Sequence, residues 1–224
     1  MLTASAGAKS IRTPEGNFPR VQWAVVESTE GTMPQIIEMG TRILAPTTAN
    51  EAGTYALYGA IEKNNPNLMR LLEIYANDEA YRIHSTSAAF QQYRAERLPI
   101  LGGLKILPVN GIVLEQKSHG VGKFVRTNRF EISPVNLAKF QKIISDEAIR
   151  LVCDNSAVMG AFVTAEQARP NFLHTMIIFV DETAAQKYFA SDEYKNYRKQ
   201  VESLIKDELT IDYAPTKIVL SEKF

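Results

Sequence analysis

The sequence predicts an α+β protein built from two ferredoxin-like domains packed sheet to sheet as a pseudo-dimer. Three observations lead there. Strand and helix signals recur in the order β-α-β-β-α-β, which is the split βαβ arrangement. That order occurs twice. The two occurrences also align without a gap when the chain is shifted by 104 positions, residues 53–93 falling on 157–197. Seven of those 41 pairs are identical, among them Asn67/Asn171, Ala80/Ala184, Ser87/Ser191 and Tyr93/Tyr197. That fraction is close to background, so the conservative pairs carry the weight: Tyr58/Phe162, Tyr75/Phe179, Asn77-Asp78/Asp181-Glu182 and Phe90/Tyr194. Repetition at a fixed period marks one supersecondary unit used twice.

Each element has its own signal. VQWAVVES (21–28) and KFVRTNRFEIS (123–133) read as first strands, the second with polar and apolar residues interleaved. Ile36, Ile37, Met39, Ile43 and Leu44 predict a helix over 33–44. In the second half Leu137, Phe140, Ile144, Ala148 and Leu151 recur at helical spacing over 134–152, with Pro134 suited to the first turn. Two strands joined by a polar Pro-Asn turn follow, TYALYGAIE with LMRLLEIYA, then AVMGAFVTAE with FLHTMIIFV. Pro66 and Pro170 sit where a missing N–H costs nothing. A second helix (78–96, 182–205) and a last strand (104–107 with 111–115, 208–220) close each unit. The expected boundaries are a flexible N-terminal arm over 1–19, a first domain over 20–115, a polar Gly-containing linker over 116–122 (QKSHGVG), and a second domain over 123–224.

Composition excludes several classes. The 224 residues carry 25 basic and 25 acidic side chains with no Lys/Arg block, so no nucleic-acid partner is expected. No apolar run approaches the length of a membrane helix, and residues 1–19 lack the apolar core of a leader. The expected compartment is the cytoplasm, with an exported form left open. The single cysteine, Cys153, rules out a disulfide framework and any CxxC site, and beside Leu151 and Val152 it reads as a small core residue. Three scattered histidines, His84, His119 and His174, give no metal-ligand spacing. Neither GxGxxG nor GxSxG is present.

The run GTYALYGAIEKNNPNLMRLLEIYANDEAYRIHSTSAAFQQY, from Gly53, resembles the antibiotic biosynthesis monooxygenase domain family. It has a small residue before a strand, a short turn with Pro or Asn, and an aromatic-ended strand, EIYA. An acidic-acidic-Ala-aromatic segment follows, then a histidine three residues on. The resemblance covers about residues 21–115 and, more weakly, 123–220. It implies a dimeric α/β-barrel, which a tandem chain would close within itself, as a monomer or as a further homodimer. It also implies a range of chemistries that includes cofactor-free oxidation of quinols, haem degradation and isomerisation, so fold alone does not give function.

His84 occupies the position of the family's helix histidine. On a helix it shares a face with Ala80, Ser87 and Ala88. A histidine there can move a proton or hold an oxyanion; the other reading is a core histidine satisfied by a carbonyl, and both stay open. Tyr75 and Tyr81 flank the turn before it and are the expected walls for a flat aromatic ligand. The second half places Tyr188 at the matching position, and Asn128, on the same strand face as Phe130 and Ile132, is expected to point inward. TNRFEIS (127–133) is similar to the first strand of the haem-degrading branch, where an Asn works with a helix His. Neither half holds the whole set, since Ala24 aligns with Asn128 and Tyr188 with His84. His174 reads as a surface or interface residue, His119 as a solvated linker residue, and Glu73, Arg70 and Arg82 as solvated or interface residues. The expectation is therefore a cofactor-independent monooxygenase acting on a quinol-like or polycyclic phenolic molecule with O₂. A non-catalytic small-molecule-binding protein of the same fold, or a haem-binding protein, is the alternative.

Overall fold

The computed structural model describes residues 7–117, 122–215 and 219–220. The first half contains β1 (Ala8–Ser10), β2 (Arg20–Ser28), α1 (Met33–Met39), a π-helical turn (Gly40–Leu44), α2 (Ala45–Asn50), β3 (Thr54–Glu62), β4 (Asn65–Tyr75), α3 (Asp78–Thr86), α4 (Ala88–Arg97) and β5 (Leu101–Lys117). The second contains β6 (Phe124–Ile132), α5 (Leu137–Asp154), β7 (Val158–Glu166), β8 (Phe172–Phe179), α6 (Glu182–Ala190), α7 (Asp192–Val201), β9 (Ile205–Pro215) and β10 (Val219–Leu220). No helix among the described residues is long and apolar enough to cross a membrane.

The chain divides into two compact units: an N-terminal unit of residues 12–109 with 214–224, and a C-terminal unit of 1–11 with 110–213. The expected contiguous domains differ from this. β5 is one 17-residue strand rather than two short ones, and its residues from Asn110 onward belong to the C-terminal unit. The expected arm over 1–19 is ordered where β1 pairs with β5, Ala8 opposite Lys117, and where the Ile11 N–H donates to the Leu114 carbonyl at 2.8 Å. Ile11 is fully buried there, an apolar anchor that an unattached arm would lack. Of the expected linker, residues 118–121, with His119, lie outside the described residues.

Within each unit the sheet is antiparallel and ordered last-first-third-second: β5-β2-β4-β3 in one and β9-β6-β8-β7 in the other, the ferredoxin-like order. The registers repeat. Val21 faces Ile74 and Val125 faces Ile178; Ala24 faces Ile106 and Asn128 faces Thr210; Tyr58 faces Leu72 and Phe162 faces Met176. Every second number is 104 higher. Because a one-residue slip would exchange the two faces of a strand, this places each aligned pair on the same face of its own sheet.

The second helix of each half is broken in two. Ser87 and Ser191 have extended backbones, and their Oγ atoms accept the N–H of Phe90 and Tyr194 at 3.1 Å each. Their identity in the repeat reflects this N-cap role, and Ser87 ends the helix of His84 rather than sharing a face of it. Asn77 and Asp181 cap the preceding helices in the same way. The first helices differ more. α5 is continuous for 18 residues, whereas its counterpart changes to π geometry at Gly40–Leu44 and resumes as α2. Pro46, near the start of α2, has no N–H to give the helix and crowds the preceding turn. The predicted helix over 33–44 therefore runs on to Asn50 with a change of winding.

Candidate functional site

In the N-terminal unit the helix-covered sheet face forms the floor of a cavity of about 480 Å³. Alternate residues supply the floor: Gln22, Ala24 and Val26 from β2, Leu71, Glu73 and Tyr75 from β4, Leu57 from β3, Leu104 and Ile106 from β5. Their registers put Gln22 opposite Glu73 and Ala24 opposite Leu71. α3 contributes Tyr81 and His84, and α4 contributes Phe90, Tyr93, Arg94 and Arg97. A second space of about 80 Å³ under α1 and the π-helical turn shares Leu44, Leu57, Leu71 and Tyr93 with it.

His84 is 3% exposed. Its Nδ1 lies 2.7 Å from Glu51 Oε2, and the same oxygen accepts from Thr54 Oγ1 at 2.7 Å. A carboxylate only accepts, so Nδ1 carries the proton and Nε2 is left to act. Glu51 reaches this place because α2 ends on it and the chain turns at Gly53, where a Cβ would stand 2.5 Å from that of Ala80. Only glycine lets β3 start so close to α3. The imidazole sits between two rings, Tyr75 at 5.5 Å and Phe90 at 5.1 Å, and Tyr81 stands edge-on to Tyr75 at 5.3 Å. The Arg20 guanidinium covers Tyr81 at 3.9 Å and pairs with Asp78. The structure thus brings His84, Tyr75 and Tyr81 to one cavity.

Glu73 is the residue that sequence reasoning misplaced. It is no solvated residue; it faces the cavity, its Oε2 accepting from Gln22 Nε2 at 2.6 Å and from the Tyr75 hydroxyl at 3.1 Å. Burial raises its carboxyl above the usual carboxylate range, against the opposing pull of those hydrogen bonds and of nearby His84 and Arg97. Burial and the adjoining Glu73 keep the Tyr75 phenol neutral far into the alkaline range. The signal for Glu73 was its strand parity with Tyr75, two residues on. Arg97 was also missed. It is 6% exposed, stacked over Tyr93 at 4.7 Å, with its Nε buried and without an acceptor.

The C-terminal unit presents the same face filled in. Its cavity, lined by Asn128, Glu147, Tyr188, Tyr194, Tyr197 and Arg198 among others, has about 30 Å³, room for one or two water molecules. Asn128 points inward, and its Nδ2 donates to Thr210 Oγ1 at 2.6 Å and Glu208 Oε1 at 3.1 Å. Glu208 is gripped in turn by both Arg198 Nη atoms, at 3.0 and 2.7 Å. The Tyr188 hydroxyl donates to Glu147 Oε1 at 2.6 Å, and its ring packs on Phe179, Phe189 and Tyr194. Burial, then the hydrogen bond to Glu147, holds that phenol strongly in its neutral form. His174 is not a surface residue. It is 7% exposed and lies 2.9 Å from Glu166, itself 2% exposed and bonded to Arg169. Burial alone would raise the Glu166 carboxyl; His174 and Arg169 together bring it below the usual range. Cys153 is exposed, one step of helix rotation beyond buried Leu151 and Val152, and not a core residue. Among the described residues no cluster of three or more His, Cys, Asp or Glu side chains is placed to hold a metal ion.

Residues 23–96 match the model of the antibiotic biosynthesis monooxygenase family. The matched stretch is about a third of the chain and lies within the N-terminal unit. Glu51, Glu73, Tyr75, Tyr81 and His84 all lie within this matched stretch, and Arg97 follows its last matched residue. The fold similarity extends beyond it. A candidate monooxygenase of Lactobacillus acidophilus NCFM matches at a TM-score of 0.82 with 14% identity, covering 90% of this chain and 96% of its own. A candidate monooxygenase of Fusobacterium nucleatum subsp. nucleatum matches at 0.82 with 16% identity, covering 90% and 94%. An anthrone oxidase-like protein matches at 0.60 with 9% identity, covering 96% and 99%. At such identities the likeness is one of fold. No curated protein matches the chain.

Proposed function

We propose that the protein is a cofactor-independent monooxygenase that oxidises a quinol-like or polycyclic phenolic molecule in the cavity of its N-terminal unit. The observation that carries this reading is the His84–Glu51 pair at the wall of the 480 Å³ aromatic cavity. Glu51 fixes the tautomer and offsets the charge that His84 gains when Nε2 takes a substrate proton. A deprotonated phenol or anthrone is electron-rich enough to reduce O₂ itself. One oxygen atom is then retained on the ring carbon and the other leaves as water. Tyr75, Tyr81 and Phe90 supply flat walls and exclude water. A haem-based reading has less support, since Asn128 is committed to Thr210 and Glu208 and 30 Å³ does not admit a macrocycle.

Oxygen uptake with a panel of naphthohydroquinones and anthrones, corrected for autoxidation, tests the reading. Turnover that His84→Ala abolishes supports it. A panel giving no uptake above background overturns it, and saturable ligand binding in that case assigns the fold a binding role only.

A further inference from the structure

Arg97 poses a separate question. A guanidinium stays charged at any accessible pH and is costly to bury without a counter-charge. Arg97 is more than nine-tenths buried, lines the cavity and leaves Nε without an acceptor. Several other arginines have a carboxylate partner: Arg20 has Asp78, Arg42 has Glu38 and Glu96, Arg126 has Asp212 and Arg198 has Glu208. Among the described residues no carboxylate lies within ion-pair distance of Arg97. Glu73 acts on it only through space, and that carboxyl is itself held toward its neutral form by burial. At the matching position of the C-terminal unit stands Val201, fully buried, where the cavity is closed. A cation that meets the Tyr93 ring but no carboxylate within ion-pair distance accompanies the open cavity, and an apolar residue accompanies the filled one.

The geometry points to a carboxylate subsite: the cavity takes an aromatic acid, whose ring lies against Tyr75 and His84 and whose carboxylate answers Arg97. Gln22, which lines the same floor, gives one amide N–H to Glu73 and has a second to offer the other carboxylate oxygen. The inference rests on the reading that this cavity is the ligand site, and it narrows the substrate class to polycyclic phenols bearing an acid group.

The test is calorimetric titration of the full chain at pH 7 with 2-naphthoate, 3-hydroxy-2-naphthoate, 2-naphthol and methyl 2-naphthoate, on wild type, Arg97→Gln and Arg97→Met. The acids are expected to bind at least tenfold more tightly than the neutral pair, and either substitution to remove that preference while leaving 2-naphthol unchanged. Thermal melts supply a second readout. A purely structural arginine loses stability on replacement, whereas an unanswered cation predicts that ligand-free Arg97→Met melts at or above the wild-type temperature. Equal affinity for acid and ester overturns the subsite while sparing the aromatic cavity. So does an acid preference that survives in Arg97→Gln, or a preference shown only by the 2-naphtholate anion at high pH. Absence of binding by all four probes overturns the subsite and the cavity reading together.

Discussion

The two units use one scaffold to opposite ends. On the helix-covered face of the C-terminal sheet polar groups at the centre are answered from within: Asn128 by Thr210 and Glu208, Glu208 by Arg198, Tyr188 by Glu147. On the same face of the N-terminal sheet Ala24 replaces Asn128, and Leu104 and Ile106 replace Glu208 and Thr210, so the Asn128 bridge has no counterpart there. The result is about 480 Å³ against about 30 Å³. Buried polar groups must be hydrogen-bonded or exact a cost. A network that satisfies itself closes a cavity, and one left with an open imidazole nitrogen, a raised carboxyl and a guanidinium without a carboxylate partner keeps it available to a ligand. The lesson is that duplication preserves registers and caps while the interior of each copy is free to diverge.

The contrast can be broken experimentally. The largest effect is expected from His84→Ala, which should lower turnover of an accepted phenolic substrate by about 10²-fold or more, while Tyr188→Phe leaves turnover unchanged; equal losses in both variants would erase the distinction between the units. Next, Asn128→Ala should destabilise the protein by about 1–3 kcal/mol in chemical denaturation, because Thr210 and Glu208 each lose one hydrogen bond. The swap in the other direction, Ala24→Asn, should weaken aromatic ligand binding by occupying the cavity floor.

Glu73→Gln sharpens the electrostatic side. Burial keeps Glu73 protonated in the folded chain to a higher pH than in the unfolded chain. Its contribution to stability is therefore present in full below the ordinary carboxylate range and is lost as pH rises through the raised value. The glutamine variant should melt above wild type near pH 7, and the gap should close as pH falls below about 4. A gap that widens toward acid would mean Glu73 is an ordinary stabilising carboxylate. The smallest effect belongs to Tyr188→Phe, about 1 kcal/mol, since Glu147 keeps its Arg150 partner.

Much of this was legible in the chain. Period-2 and period-3.6 patterns placed the strands and helices, and the gapless shift gave the equivalence of His84 with Tyr188 and of Ala24 with Asn128. Ser87 and Ser191 were visible as identical residues but misread, because a cap between two helices and a position on one helix's inner face look alike in sequence. Glu73 and His174 were misjudged for one reason: a charged or titratable side chain on a strand is assigned to solvent unless its neighbours are known. Arg97 gave no signal at all, since what distinguishes it is deep burial beside a cavity with no carboxylate in ion-pair distance.

By itself, then, the sequence determined the α+β class, the two ferredoxin-like units, the monooxygenase-domain resemblance and a single helix histidine worth testing. The class and the two units follow from periodicity and the 104-residue shift, and the histidine from the motif resemblance. Only the tertiary structure decided that one unit is hollow and the other filled, that Glu51 orients His84, and that the chain segments after Val109 and Tyr213 each change unit. Cavity volume and hydrogen-bond satisfaction are sums over side chains brought together from many elements, and no short stretch of the chain encodes them.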